Sequence, residues 1–333
     1  MRIAVVIPCF RVTRHIADVI ARIGPEVDYI FAVDDACPDD SAGYIEKTIQ
    51  DPRVTVLRHM ENTGVGGAVI TGYQAALNVG ADIFVKVDGD GQMAPELISQ
   101  FVQPIEAGEA DYVKGNRFYS GSAVSEMPRI RLFGNAFLSF ITKLSSGYWS
   151  IFDPTNGFTA IHARALAAID LDKVAQRYFF ESDMLIRLGD LRAVVIDMPM
   201  RAVYADEVSG LRISSIMLEF LWRHITATLK RTVYMYFLRD FSLASLNLLF
   251  GTILLIFGII FGTVAWSESV ATGIPATTGT VMLAALPIVL GFQMLLFFAS
   301  YDIASEPKIP IQRLRIKSYA PPQLIKRVNS DSE

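Results

Sequence analysis

The chain has 333 residues but only two cysteines, Cys9 and Cys37. So few cysteines exclude a disulfide framework and a zinc site built from paired cysteines. The N-terminal apolar run Ile3–Ile7 is too short for a signal peptide and turns polar at once, so we expect the chain to begin in the cytosol. The glycine cluster 62–67 lacks the Lys-Ser/Thr of a P-loop and the spacing of a dinucleotide fingerprint. The sequence therefore does not support an ATPase or a dehydrogenase.

The sequence also has no overall excess of basic residues, and its net charge of −4 is unevenly distributed. Residues 1–210 carry 19 Lys and Arg against 27 Asp and Glu, a net charge of −8. Residues 211–333 carry 11 against 7, a net charge of +4. An acidic globular part followed by a basic, apolar part indicates a membrane surface as partner, and no nucleic acid.

Two long segments, 241–267 and 269–301, contain no charged residue at all. Each exceeds the roughly 20 residues that cross a bilayer core, so we predict transmembrane helices at about 243–266 and 279–300. The loop between them has no Lys or Arg, whereas cations stand outside both spans: Arg223, Lys230, Arg231, Arg239, Lys308, Arg313, Arg315, Lys317, Lys326 and Arg327. By the positive-inside rule, both termini and the globular part lie in the cytosol.

The segment 211–240, just before the first span, has apolar residues at helical spacing: Ile213, Ile216, Met217, Phe220, Leu221, Ile225 and Leu229. Polar and basic residues fall largely on the other side. This pattern predicts an amphipathic helix in the membrane interface. Packing of the same helix against the globular domain would produce the same pattern, and both can hold.

Residues 1–210 alternate strand and helix signals, which predicts an α/β domain with a mostly parallel sheet and helices on both faces. The predicted strands are Ile3–Ile7, Tyr29–Val33, Val54–Leu57 and Ile83–Val87, and the predicted helices are His15–Ile23, Ser41–Ile49, Ala68–Val79 and Pro95–Ala107. Beyond Gly115 the pattern loosens into a mixed region where an acceptor pocket could be built.

Acidic residues follow two of the predicted strands. Asp34 and Asp35 come directly after one strand, and Asp88-Gly89-Asp90 follows another. The carboxyl ends of parallel strands meet at one edge of the sheet, where α/β folds bind ligands. Two carboxylates one residue apart can hold a divalent cation that bridges nucleotide phosphates. A solvated acidic turn explains either cluster alone, but their co-location favours a site.

In this order the motifs resemble family 2 glycosyltransferases of the GT-A (Rossmann-like) fold, and among them the polyisoprenyl-phosphate glycosyltransferases, such as dolichyl-phosphate mannose synthases and undecaprenyl-phosphate glucosyltransferases. The resemblance covers nearly the whole chain. The matching segments are Val5–Phe10, Val33–Asp39, Asn62–Ala68, Asp88–Gln92, Gly115–Phe118, Asp153–Phe158 and Glu181–Asp183.

The resemblance implies a role for each site residue. Pro8, Asp35 and Asp88 would contact the nucleoside, and Asp88, Asp90 and Gln92 would hold Mg²⁺ or Mn²⁺ on the diphosphate. Arginines suit an anionic acceptor because the planar guanidinium pairs bidentately with phosphate. The residues proposed for the acceptor phosphate are Arg117, Arg131 and Arg212, with Arg129 behind them.

The resemblance also implies an acid near the acceptor, as catalytic base or as orienting group. Asp153 and Asp183 are the catalytic candidates, together with Arg117 and Arg131. Asp153 could instead cap a turn. Glu181 is expected to act as a hydrogen-bonding support.

The sequence departs from the family pattern at three places. Arg11-Val12 stands where Asn-Glu is usual, and Ala36-Cys37 replaces the usual Gly-Ser. The late Gly-x-Ser-Lys motif is not intact around Arg212, so any phosphate contact of its lysine would pass to Arg212. The Gln-x-x-Arg-Trp motif of processive polysaccharide synthases is missing, which favours transfer of a single sugar.

The resulting hypothesis is an inverting, metal-dependent hexosyltransferase with a nucleotide-sugar donor, a UDP- or GDP-hexose, and a polyprenyl phosphate acceptor. It comprises a GT-A domain (1–210), a juxtamembrane region (211–240), two spans (241–301) and a basic cytosolic tail (302–333), as a multi-pass protein of the cell (inner) membrane. Alternatives are the same fold acting on a different lipid or glycan, and a catalytically silent membrane-anchored binding protein. Gly251, Gly258 and Gly262 would permit close helix approach and hence a homo-oligomer.

Overall fold

The computed structural model describes residues 1–119, 129–200 and 213–314, without the side chains of 129–131 and 213–216. The chain forms two compact units. Met1–Ala227 and the segment that begins at Pro307 form the first, which we call the sheet unit. Thr228–Glu306 form the second, the helical unit.

A seven-stranded sheet is the centre of the sheet unit. Its strands are β1 (Ile3–Cys9), β2 (Tyr29–Asp34), β3 (Val54–Arg58), β4 (Ile83–Lys86), β5 (Tyr112–Asn116), β6 (Thr159–His162) and β7 (Val195–Pro199). They are arranged in the order β3-β2-β1-β4-β6-β5-β7. Only β6 runs antiparallel to its neighbours, β4 and β5. The prediction of an α/β fold with a mostly parallel sheet is therefore confirmed.

Helices cover both faces of this sheet. The helices are, in chain order, α1 (Ile16–Ala21), α2 (Ser41–Thr48), α3 (Val65–Asn78), α4 (Ile98–Glu106), α5 (Arg129–Ser146), α6 (Ala163–Ala167), α7 (Phe180–Leu191) and α8 (Ile213–Val233), whose residues from Thr228 on belong to the helical unit. Helix α5 packs against α7. Successive side chains of a strand point to opposite faces, so Val5 packs in one core layer with residues of α1 and α4. Val6 packs in the other layer with residues of α3 and α7. Strands that are buried on both faces have continuously apolar sequences, and for this reason β1 and β4 could be predicted from the sequence.

The segment after Pro307 belongs to the sheet unit. The backbone N–H groups of Ile311 and Gln312 donate to the buried carboxylate of Asp111 at 2.8 and 3.1 Å. The Gln312 side chain donates to the Ala110 carbonyl at 2.7 Å. The sequence predicted only a basic tail here; hydrogen bonds to Asp111 and to the Ala110 carbonyl help to hold its first part in the sheet unit.

The helical unit contains two long helices, α9 (Leu243–Thr272) and α10 (Thr278–Ala304), preceded by a π-helical segment, Tyr234–Arg239. Both helices are long and apolar enough to cross a membrane and contain the predicted spans. They pack closely at Gly251, where an added Cβ would lie 3.0 Å from the Gly291 carbonyl oxygen. This glycine, proposed for self-association, therefore serves a contact within the chain.

Candidate active site

The predicted acidic clusters lie at one edge of the sheet. In the sheet register Cys9 of β1 pairs with Asp34 of β2, and Val6 of β1 pairs with Lys86 of β4. Strand β1 thus separates the two acidic strand ends, and Pro8 lies between them, half-buried near the end of β1. This placement brings Pro8, Asp35 and Asp88 to the carboxyl ends of adjacent strands, where α/β sheets bind ligands.

The two acids after β2 are engaged by the protein itself. The Asp34 carboxylate accepts from the backbone N–H groups of Cys37 and Ala42, each at 2.7 Å. Asp35 accepts from the N–H groups of Thr63 and Gly64 at 2.9 and 2.7 Å. These acids connect β2 to α2 and to the glycine turn, so the geometry gives Asp35 a scaffold function. Its predicted contact with a nucleoside stays a prediction.

Asp35 is also hydrogen-bonded to side chains. Its Oδ1 lies 2.8 Å from His59 Nδ1 and accepts from the Thr63 hydroxyl at 2.9 Å. Burial alone would raise the pKa of the Asp35 carboxyl, but the hydrogen bonds from His59, Thr63 and Gly64 outweigh it and hold the pKa below its usual value. Asp35 is thus a stable anion at neutral pH.

The acids after β4, Asp88 and Asp90, are more exposed to solvent than Asp34 and Asp35. The Asp88 side chain is 27% exposed. Asp90 Oδ1 accepts from the Gln92 backbone N–H at 2.9 Å, in a turn that Gly91 makes with a left-handed φ of 77°. Asp88, Asp90 and Gln92 together offer two carboxylates and one amide oxygen, the hard donors that Mg²⁺ and Mn²⁺ accept.

No group of three or more His, Cys, Asp or Glu side chains that could enclose a metal is present in the described part of the chain. That observation fits this donor set. Mg²⁺ usually keeps several waters and is held by one or two carboxylates together with substrate phosphates. The residues present therefore suit a cation that is shared with a nucleotide diphosphate, and they do not suit a closed structural metal site.

A buried lysine that the sequence reasoning missed supports Asp88. Lys86 is 1% exposed, and its Nζ donates to Asp88 Oδ1 at 2.7 Å and lies 3.2 Å from Glu181 Oε1. Burial opposes the charge of this amine, but the two carboxylates outweigh burial and raise its pKa. One signal could have found it: a single lysine within the apolar run 83–87 must be paired if that strand is buried. Glu181 has the supporting position that was expected of it.

Arg117 and Asp153 form a second ion pair. Arg117 Nε and Nη2 donate to the two carboxylate oxygens of Asp153 at 2.8 and 2.7 Å. Asp153 is fully buried, whereas the Arg117 side chain is 25% exposed. Burial would raise the pKa of Asp153, but Arg117 holds it below its usual value. An acid with a lowered pKa is a weak base, so the geometry is that of a group that orients Arg117. Its predicted catalytic role is untested.

A third buried pair fixes the loop that carries Asp153. Lys114 Nζ donates to Asp197 Oδ1 at 2.8 Å, and the other oxygen of Asp197 accepts from the Phe152 N–H and from Asn116 Nδ2, each at 2.8 Å. Lys114 also donates to the Phe152 carbonyl. The sequence reasoning missed Lys114 and Asp197, because β5 was not among the predicted strands and nothing else in the sequence marked Lys114 as buried.

Asp183, a further predicted residue, is not part of these pairs. Asp183 accepts from the Ala175 N–H at 2.8 Å and from Arg187 Nε at 2.9 Å, so it is engaged at the start of α7. Arg131 lies in the first turn of α5, but its side chain, like that of Arg129, is outside the described residues. Arg212 also lies outside them. Their predicted contacts with an acceptor phosphate stay predictions.

The chain is similar to several known proteins. The family model "Glycosyl transferase family 2" matches residues 4–170, half of the chain. A UDP-N-acetylglucosamine–dolichyl-phosphate N-acetylglucosaminyltransferase of Methanococcus voltae is 31% identical over 66% of this chain and 92% of its own length. An undecaprenyl-phosphate mannosyltransferase of Micrococcus luteus is 30% identical over 61% of this chain and 84% of its own. The solved structure of glucosyl-3-phosphoglycerate synthase from Mycobacterium tuberculosis is 20% identical, with a TM-score of 0.49 over 69% of this chain and 79% of that one. The family model matches half of the chain, and the match to the Methanococcus relative covers 92% of that relative. The chain therefore belongs to glycosyl transferase family 2.

Proposed function

We propose that the chain is an inverting, metal-dependent enzyme that transfers one hexose from a nucleotide-sugar to polyprenyl phosphate. The relatives carry names with dolichyl-phosphate and undecaprenyl-phosphate as acceptors, but they differ in the sugar. The names therefore support an acceptor class and leave the sugar, and UDP against GDP, to experiment.

The state of the candidate acids is the observation that carries the choice of acceptor. Asp153 and Asp183 are each paired with an arginine, Arg117 and Arg187. A hydroxyl acceptor needs a general base, and efficient bases have pKa values near the working pH. A phosphate monoester is already an anion, and its oxygen can attack the sugar C1 once it is positioned. An arginine oriented by a buried carboxylate suits that task.

The donor end of the reaction depends on Asp88, Asp90 and Gln92. A divalent cation held there would neutralise the charge that builds on the leaving nucleotide diphosphate. Lys86 fixes the Asp88 carboxylate by a hydrogen bond of 2.7 Å. Arg117, with Arg131 and Arg212, would hold the acceptor phosphate on the opposite side of C1, which inverts the configuration of the sugar.

The proposed location is the cytosolic face of the cell membrane. Residues 1–227 and those from Pro307 on belong to the same sheet unit, so two spans between them would return the chain to one side. The positive flanks of the predicted spans support the cytosol as that side.

A transfer assay with purified full-length protein in lipid nanodiscs tests the proposal. Labelled UDP- and GDP-hexoses are offered with Mg²⁺ or Mn²⁺ and with either polyprenyl phosphate or diacylglycerol. We expect label in polyprenyl phosphate from at least one donor, and its loss with EDTA. Transfer to diacylglycerol instead would contradict the acceptor, and an absence of turnover with every donor would favour a binding protein. Turnover that persists in EDTA would contradict the proposed metal dependence.

A further inference from the structure

The loop that begins at Asp153 joins the two ion pairs of the candidate site. At its start, the Asp153 carboxylate is paired with Arg117. Further along the loop, the Gly157 carbonyl oxygen accepts from Lys86 Nζ at 3.2 Å, and the same Nζ donates to Asp88 Oδ1 at 2.7 Å. One short loop therefore contacts both the arginine proposed for the acceptor phosphate and the lysine that holds a proposed cation ligand.

Gly157 lies so close to Asp88 that no side chain would fit between them. A Cβ added at Gly157 would lie 2.4 Å from Asp88 Oδ2 and 2.5 Å from Lys86 Nζ. Unbonded heavy atoms pack best at about 3.5–4.0 Å, so both distances are steric clashes. The bare Cα of the glycine leaves room for the Asp88 carboxylate, and it also limits where the Oδ2 atom can lie.

The backbone at Gly157 is held from both sides. Before the glycine, the Asn156 N–H donates to the Asp153 carbonyl at 3.1 Å and closes a turn. After it, the Phe158 N–H donates to Asn156 Oδ1 at 3.0 Å, and the Phe158 carbonyl accepts from the Gly115 N–H at 2.8 Å. The Phe158 side chain is fully buried. A larger residue in place of the glycine could therefore not relieve the clash by moving the loop.

Of the two side chains beside Gly157, Asp88 is the one that can move. Lys86 is 1% exposed, and its Nζ lies within 3.2 Å of oxygen atoms of Asp88, Glu181 and Gly157. Moving this amine from its partners would leave a buried charge unpaired, which is strongly destabilising. The Asp88 side chain is 27% exposed and can rotate toward solvent. We therefore expect a Cβ at this position to displace the Asp88 carboxylate and to leave the fold in place.

We propose that Gly157 is a positioning residue for the cation of the transfer reaction, because its backbone fixes where the Asp88 carboxylate lies. This inference rests on the proposed function, in which Asp88, Asp90 and Gln92 hold Mg²⁺ or Mn²⁺ on a nucleotide diphosphate. Groups behind the ligands of a metal orient those ligands, and their loss commonly lowers metal affinity about 10- to 100-fold. Since the same loop carries Asp153, the loop that orients the acceptor's arginine also sets the place of the donor's cation.

The test measures Mn²⁺ binding by the full-length protein in lipid nanodiscs, with UDP and separately with GDP, and without sugar donor or lipid acceptor. The EPR signal of free Mn²⁺ gives the bound fraction, after correction for the Mn²⁺ that each nucleotide binds alone. Gly157→Ala adds the Cβ. Gly134→Ala is the matched control, since nothing lies within 4 Å of a Cβ at that position of α5. Denaturant unfolding in detergent micelles compares the stability of the variants.

We expect Gly157→Ala to raise the dissociation constant for Mn²⁺ about 10-fold or more, with an unfolding midpoint close to that of wild type. Gly134→Ala should leave Mn²⁺ binding unchanged. A wild-type affinity in Gly157→Ala would overturn the proposal. A loss of affinity that came only with a large fall in the unfolding midpoint would overturn it too, because the glycine would then serve packing alone.

The behaviour of the wild type separates this proposal from the proposed function. If the wild type bound Mn²⁺ with one of the nucleotides and Gly157→Ala bound it equally well, only the positioning role of Gly157 would fail. If the wild type bound no Mn²⁺ with either nucleotide, the proposed metal dependence would fail, and the positioning role with it.

Discussion

Strands β2 and β4 end in similar sequences, a buried apolar run followed by two acids, but their carboxylates are satisfied in opposite ways. Asp34 and Asp35 are 5% and 3% exposed and accept from four backbone N–H groups, those of Cys37, Ala42, Thr63 and Gly64. Asp88 is partly exposed and paired with a lysine, and Asp90 accepts from the N–H of Gln92.

The difference gives a physical criterion for telling a structural acid from a candidate ligand-binding one. An acid that accepts hydrogen bonds from several backbone N–H groups of its own loops stabilises the fold, because removing the acid leaves those buried donors without partners. An acid held by one neighbour near the surface can give its oxygens to a cation or a nucleotide. The strand-then-acid pattern alone does not distinguish these cases. The number of local backbone donors does.

The largest expected effect is on activity, at the β4 end. We expect Asp90→Asn to lower the rate of transfer at least about 100-fold, the scale of losing one transition-state electrostatic contact. The free energy of unfolding should change by less than about 0.5 kcal/mol, as for other surface substitutions. Labelled-sugar transfer and denaturant unfolding in detergent micelles measure the two quantities.

Asp172→Asn makes the same chemical change at an exposed position and should leave both quantities unchanged. If Asp90→Asn instead destabilised the protein and kept its activity, the β4 end would be a second structural acid, and the contrast between the two strand ends would disappear.

The next effect is on stability, at the β2 end. We expect Asp35→Asn to lower the free energy of unfolding by about 2–3 kcal/mol at pH 7, because the amide N–H₂ would face N–H donors of the glycine turn. The pKa of Asp35 is lowered in the folded state, so its contribution is present above the unfolded-state value near 3.8 and is lost as pH falls below it.

The difference in unfolding free energy between wild type and Asp35→Asn should therefore shrink as pH falls through 3.8 and below. Denaturant unfolding at pH 7, 5, 4 and 3 measures it, with Asp172→Asn again as the control. A difference that stayed constant with pH would mean that the charge of Asp35 does not contribute to its role in the turn.

The sequence predicted the elements whose pattern is local. The runs that became β1, β2 and β4 are buried on both faces and therefore continuously apolar, and the acids that follow two of them were placed at the correct sheet edge. Strands β5, β6 and β7 were not predicted, because their pairing partners are set by tertiary contacts. The return of Ile311 and Gln312 to Asp111 spans about 200 residues, and no local signal marks it.

The candidate site was also read from the sequence only in part. Asp88, Asp90 and Arg117 were proposed from their motifs, and their roles stay predictions. Lys86 and Lys114, which hold Asp88 and the Asp153 loop, were missed, since a buried lysine looks like a surface lysine until its strand is known to be internal. The pairing of Asp153 with Arg117 depends on two segments 36 residues apart meeting in space.

The smallest expected effect concerns the turn residues beside the acids. At the β4 end the left-handed residue is Gly91, with a φ of 77°, whereas at the β2 end it is Ala36, with a φ of 52°. A left-handed backbone costs a residue with a Cβ about 1–2 kcal/mol, whereas glycine adopts it readily. We expect Ala36→Gly to raise the free energy of unfolding by about 0.5–1 kcal/mol, after the larger chain entropy of glycine in the unfolded state is counted.

Ala75→Gly, within helix α3, provides the opposite case in the same unit. There the backbone is helical, and glycine should lower the free energy of unfolding by about 1 kcal/mol. Denaturant unfolding of the two variants beside wild type gives the sign directly. If both substitutions destabilised the protein equally, Ala36 would be unstrained. The shape of the β2 turn would then be set by the N–H donors around Asp34 and Asp35, and the residue type at position 36 would not matter. In that case the two strand ends would differ only in how their acids are hydrogen-bonded.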